Sequence, residues 1–268
     1  MRIAAIGGGN KQPILDQFIA DLPNDKAVII PTACSTRRSF DKKVSATESM
    51  LADLGLATHV LHEFEEKPTQ TAIEHELGRA SIAYVIGGNS PHMLETMALH
   101  STDLALTRAV RNGGISLAGT SAGALLPFAR FMSCPAKQPQ DEVWNYEYLQ
   151  GLSLIPASAT AHANKHDEHK TGAIVGTRYD NFALPESTSI GFAIENDAAL
   201  VIDGERSYVG RATPEANVHL ISRGGVPFAI RDNDLLSAVV RNLYTKRTVT
   251  DGWLLPKTAA VPCSGEFL

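Results

Sequence analysis

Ile115-Ser116-Leu117-Ala118-Gly119-Thr120-Ser121-Ala122-Gly123 is the stretch on which the reading of this chain turns. Residues 115–118 are an apolar run of strand length, and they lead directly into Gly119–Gly123, a G-x-S-x-G sequence. Small residues around the serine let the backbone pass sharply from strand to helix. Such a turn holds the hydroxyl at the carboxyl end of a sheet, with the next helix's amides aimed at developing negative charge. A plain glycine-rich strand–helix turn is the alternative, and the preceding strand supplies the context that the catalytic reading requires.

Outward from this point the first half of the chain alternates short apolar runs with longer amphipathic ones. Residues 2–6, 27–30, 58–61, 82–86 and 115–118 read as buried strands bounded by Gly or Pro. Residues 12–20, 39–54, 69–78 and 102–111 have helical spacing; Val44, Met50, Leu51 and Leu54 share a face, with Gly55 just past the end. This alternation predicts an α/β fold, a mostly parallel sheet sandwiched by helices. After Pro127 the pattern becomes less regular. Residues 135–142 read as a polar loop, 152–160 as a strand, 165–176 as a helix, and 189–194 with 198–202 as a hairpin or a strand with a tight bend.

Composition limits the function. The chain has 268 residues, 44% of them hydrophobic, and a net charge of −5. That supports a packed core and disfavours a nucleic-acid-binding surface, which needs a clustered basic face. Cys34, Cys134 and Cys263 are far apart, which argues against a disulfide framework or zinc knuckle and fits a reducing cytoplasm. Met1–Ile6 is too short for a signal segment, and polar residues and Pro127 interrupt residues 115–132, so no membrane span is expected.

Three further features carry chemistry. Gly87-Gly88-Asn89-Ser90-Pro91 ends another strand, with Ser90-Pro91 as a helix start, and the Gly88 amide is placed to pair with the Ala122 amide as an oxyanion hole. Gly7-Gly8-Gly9-Asn10 lacks G-x-G-x-x-G spacing and reads as tight turning. A serine nucleophile needs a base. Of the nine histidines, His162 follows a strand, whereas His59, His62, His75, His92, His100 and His219 have no distinguishing context. The tract from His162 to His169 lacks metal-ligand order, and no metal or cofactor is expected. Glu195, at the end of Ile190-Gly-Phe-Ala-Ile194, is the acid placed to orient the imidazole, ahead of Asp197 and Asp203. The order Ser121, His162, Glu195 differs from that of α/β-hydrolases.

With these residues assembled, the chain resembles the peptidase E / cyanophycinase family of serine peptidases. The matching pieces are 3–9, 30–33, 87–90, 119–124, 151–156 leading to His162, and 191–195 followed by 199–201, covering about residues 1–210. The resemblance implies a flavodoxin-like, class I glutamine amidotransferase-like fold with a Ser121–His162–Glu195 triad and Gly88 and Ala122 amides as oxyanion donors. It implies hydrolysis of small peptides beside aspartate, either N-terminal Asp or β-Asp. Two departures fall near the substrate: Thr160-Ala161 precedes the histidine where the family often has Asn-Pro, and Ala163 follows it where an aromatic is usual.

An acidic substrate needs a cation, and Arg178 is favoured over Lys165, Lys170 and Arg130. Asn89, Asp141 and Trp144 are further candidates for the pocket. The rival readings are an esterase or amidase without aspartyl preference, and a catalytically silent protein binding a small acidic ligand. The chain reads as one domain, 1–268, in which 211–268 extends the family-like core and completes the sheet edge, covers the crevice or forms a homodimer contact.

Overall fold

The computed structural model describes residues 1–61, 68–133, 146–168 and 174–245. The first half alternates as the sequence predicts: β1 (Arg2–Ile6), α1 (Gln12–Ile19), β2 (Lys26–Ile30), α2 (Arg37–Asp53), β3 (Ala57–Val60), α3 (Gln70–Arg79), β4 (Ile82–Val85), α4 (Ser90–His100), α5 (Thr102–Arg111), β5 (Ser116–Thr120) and the short α6 (Ala122–Leu125). The second half is mostly strand: β6 (Phe128–Ser133), β7 (Glu147–Gln150), β8 (Ile155–Ala161), β9 (His166–Glu168), β10 (Ile174–Thr177), β11 (Ile190–Ile194), β12 (Ala198–Asp203), β13 (Arg206–Arg211), β14 (Val218–Ser222) and β15 (Phe228–Ala229), closed by α7 (Asn233–Tyr244).

Two sheets organise all of these strands but β9 and β10. The larger runs β13-β12-β1-β5-β4-β2-β3; it is parallel from β1 to β3 and antiparallel where β12 and β13 extend it. One face packs on α1 and α2 through Ile14, Leu15, Phe18, Phe40, Val44 and Leu51. The other packs on α3, α4 and α5 and on a second sheet, β15-β14-β11-β8-β6-β7, whose Phe128, Phe131 and Phe192 are fully buried. Nearly continuous burial along β1, β2 and β4 is what a sheet covered on both faces demands of its sequence.

The structure changes one reading of the second half and decides another. Residues 165–176 hold no helix among the described positions; β9 and β10 pair as a two-stranded antiparallel ribbon. The β-branched pair Ile174-Val175 favours extended backbone over the helix expected there. Residues 189–202 form the bend and not the hairpin: β11 belongs to the second sheet and β12 to the first, so Glu195-Asn196-Asp197 carries the chain from one sheet to the other.

β5 lies in the middle of the larger sheet, between β1 and β4. The turn after it is tight: a methyl at Gly119 would strike the Gly123 carbonyl, and one at Gly123 would strike the Val85 carbonyl of β4. Because backbone cannot yield as a side chain can, Gly123→Ala should lower stability by about 1–3 kcal/mol. Urea denaturation followed by circular dichroism measures this, and an unshifted midpoint would show that the turn is looser than described.

Candidate active site

Ser121 has φ 55° and ψ −119°, an arrangement that L-residues rarely adopt. The surrounding contacts hold it there. Its N–H donates to Ile6 O (3.0 Å), its carbonyl accepts from Ala124 N (3.0 Å), and Gly87 stands so close that a methyl group there would lie 2.7 Å from Ser121 Cβ. The serine is thus pinned between the ends of β1 and β4, with its side chain directed out of the sheet.

The base reaches it from the second sheet. His162 follows β8, itself at positive φ (56°), with its N–H on Gly7 O (3.2 Å) at the end of β1. Its Nε2 lies 2.8 Å from Ser121 Oγ and its Nδ1 2.6 Å from Asn196 Oδ1. An amide oxygen only accepts, so the ring proton sits on Nδ1, and Nε2 is left with a lone pair facing the serine hydroxyl. Burial holds the His162 pKa below the ordinary 6.5; the hydrogen bond that the ring donates to Asn196 opposes this, while the charges of Arg178 and Lys165 add to it. The imidazole is therefore a free base at neutral pH.

The residue facing Nδ1 is not the expected acid. Glu195 directs its carboxylate elsewhere, accepting from His219 Nε2 (2.7 Å) and from the Asn217 N–H (2.8 Å). Alternation along β11 explains the difference. Phe192 and Ile194 face the core between the sheets, whereas Ala193 faces outward beside Phe182 and Tyr179 and pairs across the ladder with His219. Glu195 continues the outward parity and Asn196 the inward one. Because β11 runs parallel to β8 with Ile194 opposite Ala161, the inward residue after Ile194 arrives beside the imidazole after Ala161. His219, set aside in the sequence, is the partner of Glu195 and lies 4.6 Å from the Tyr179 ring centroid.

The glycine run at the end of β1 does more than turn. A methyl on Gly7 would strike Glu195 O, and one on Gly8 (φ +147°) would lie 2.5 Å from His162 Nδ1 and also strike Asn196 Oδ1. Bare backbone is what lets the imidazole–amide pair close over β1. The oxyanion candidates lie as expected at strand ends, Gly88 after β4 and Ala122 at the first position of α6. Among the described residues, neither amide N–H has a hydrogen-bond acceptor. Asn89 caps α4 instead of facing the pocket: its Oδ1 accepts from His92 N (3.0 Å). Arg178 follows β10 and donates its backbone N–H to Lys165 O (3.0 Å), so two cations sit together near His162. Asp141, Trp144 and Lys170 lie outside the described residues.

A chain with a strained serine at a strand end and a histidine within 2.8 Å of its hydroxyl has the equipment for acyl transfer. The sequence profile of peptidase family S51 matches residues 3–209. The chain belongs to peptidase family S51. It is a serine-type peptidase. Solved structures share its fold: a peptidase from an acI-B1 actinobacterium is 19% identical with a TM-score of 0.62, over 85% of this chain and 93% of that one. A Listeria monocytogenes EGD-e protein assigned as a peptidase E is 20% identical with a TM-score of 0.57, over 79% of this chain and 98% of that one. No curated protein matches the chain at a significant level. In this S51 member an amide occupies the position beside the histidine where a carboxylate was expected.

The lowered His162 pKa has two measurable consequences. Folding favours the neutral ring, so this group contributes stability that is present above about pH 6.5 and lost as pH falls through its folded value. In an NMR titration the His162 Cε1–H resonance should turn over below pH 6.5, and in Asn196→Asp it should move upward, because a carboxylate stabilises the imidazolium. A midpoint at or above 6.5 in the unaltered protein would contradict this reading.

Proposed function

We propose that this S51 peptidase hydrolyses small peptides through an acyl-enzyme on Ser121, with His162 as base and Asn196 as the group that orients it. The observation that carries this reading is the run of hydrogen bonds from Ser121 Oγ to His162 Nε2 and from Nδ1 to Asn196 Oδ1. His162 accepts the serine proton as Oγ attacks the peptide carbonyl, and the oxyanion moves toward the Gly88 and Ala122 amides. The imidazolium then protonates the leaving amine, and a water molecule activated by the same nitrogen releases the acid. Asn196 fixes the tautomer without supplying charge. Glu195, bound to His219 and the Asn217 amide, holds the 195–197 bend in place and so supports Asn196 from the next position.

We further infer a preference for substrates with an aspartyl side chain, as N-terminal Asp or as β-Asp. Its support is the pair of cations, Arg178 and Lys165, whose fields reach His162 and therefore any ligand seated at Ser121. A carboxylate on the substrate is the natural counter-ion for such a pair. No step of this chemistry calls on a metal or a cofactor.

A panel of Asp-X, β-Asp-X and neutral dipeptides tests both levels. Asp-containing members should be cleaved preferentially, and Arg178→Ala should raise KM for them more than for the neutral peptide. Equal cleavage of all three would leave a serine hydrolase without aspartyl preference. Ser121→Ala should reduce turnover of any substrate by about three or more orders of magnitude; undiminished turnover would refute the nucleophile. Asn196→Ala should cost about 1–3 kcal/mol of transition-state stabilisation, roughly 5- to 150-fold in rate.

A further inference from the structure

Lys43 sits on α2, on the face of the larger sheet opposite the second sheet that carries His162, and reading it as part of the catalytic apparatus depends on Ser121 being the nucleophile. It lies between Phe40 and Thr47 on the buried face of the helix, and its half-buried Nζ donates to the carbonyl oxygen of Gly87 at 2.7 Å. Gly87 precedes Gly88, so this carbonyl and the Gly88 N–H belong to one peptide unit. All described peptide bonds are trans, and in a trans unit the C=O and N–H point in opposite directions. A lysine that grips the oxygen from the α2 side therefore turns the N–H toward the other side, where His162 meets Ser121.

Two surrounding features make that grip consequential. Gly87 and Gly88 have the backbone freedom to let this peptide rotate, yet both are hemmed in: a methyl on Gly87 would lie 2.5 Å from Thr120 O, and one on Gly88 would strike Ala33 O. The following amide, Asn89 N–H, is tied to Ala33 O (2.9 Å), which fixes one end of the segment. The Gly87–Gly88 plane itself is held by Lys43 alone among the described side chains. A charged donor on the carbonyl also polarises the peptide, so the Gly88 N–H becomes a stronger donor.

We infer that Lys43 is a positioning residue for the oxyanion hole: by binding the Gly87 carbonyl from behind, it aims and polarises the Gly88 amide toward the charge that develops beside Ser121. It touches neither substrate nor the reacting atoms.

The test uses a fluorophosphonate, which needs no knowledge of the natural peptide. Ser121 Oγ forms a bond to phosphorus, fluoride leaves, the hydroxyl proton passes to His162, and the phosphoryl oxygen occupies the oxyanion hole. Lys43→Met should slow the inactivation rate constant by about 10- to 100-fold with the reversible binding constant unchanged, less than the 100- to 1000-fold typical of deleting a donor outright. Lys43→Arg should restore most of the rate, and Lys43→Gln, with a neutral donor, should fall between. The Gln variant serves if Met proves unstable, and the 15N–1H shift of the Gly88 amide should move in each variant that slows. An unchanged rate in both Met and Gln variants, or a loss that Arg does not repair, would overturn the inference. Failure of the unaltered protein to be labelled at Ser121 would instead remove the nucleophile assignment on which the inference rests.

Discussion

A single hydrogen bond, 2.8 Å from Ser121 Oγ to His162 Nε2, joins groups held by two different sheets. The serine follows β5 in the larger sheet and the histidine follows β8 in the smaller one, so the geometry survives only while the two sheets keep their relative position. The structure secures that position next to the bond itself. His162 N–H is bound to Gly7 O at the end of β1, Asp197 N–H to Gly8 O, and the 195–197 bend continues from one sheet into the other. Any slip between sheets would break these backbone bonds together with the one between Ser121 and His162. The strain in the site, positive φ at both Ser121 and His162, is therefore opposed by backbone bonds from the rigid centre of the fold.

The electrostatic character of the site follows from what stands behind the imidazole. An amide oxygen orients the ring but contributes no negative charge to the imidazolium that forms during attack. Burial and two nearby cations shift the same balance toward the neutral ring. The site therefore favours a base that is always ready over one that holds its proton strongly. In the proposed mechanism much of the transition-state stabilisation then falls to the oxyanion side, where the Gly88 and Ala122 amides are the candidate donors. The carboxylate next in sequence, Glu195, is committed to His219 and to the backbone of Asn217.

Much of this was legible in the sequence because it depends on local rules. The strand before Gly119, the helix start at Ser90-Pro91 and the strand before His162 each announce themselves by period and punctuation, and the parallel sheet follows from their spacing. What was not legible depends on partners distant in the chain. Glu195 and Asn196 differ by one place, and strand alternation sends adjacent residues to opposite faces; counting inward from the buried Phe192 and Ile194 would have selected Asn196. Lys43 carries no sequence signal, since nothing in α2 reveals which carbonyl lies across from it. Gly8 looked like a turn residue because its close neighbours, His162 and Asn196, lie more than 150 residues further along. The helix expected at 165–176 failed because the β-branched pair Ile174-Val175 outweighs the polar, helix-start-like His166-Asp167-Glu168 that precedes it.

In the proposed mechanism Ser121 becomes acylated with His162 as its base. The most direct measurement is peptide mapping by mass spectrometry after acid quench of the protein mixed with a p-nitrophenyl ester of an N-blocked aspartate. An added acyl mass is expected on the peptide containing Ser121, absent in His162→Ala. An acyl group carried on any other residue, or release of p-nitrophenol by the unaltered protein with Ser121 unmodified at every quench time, would contradict it.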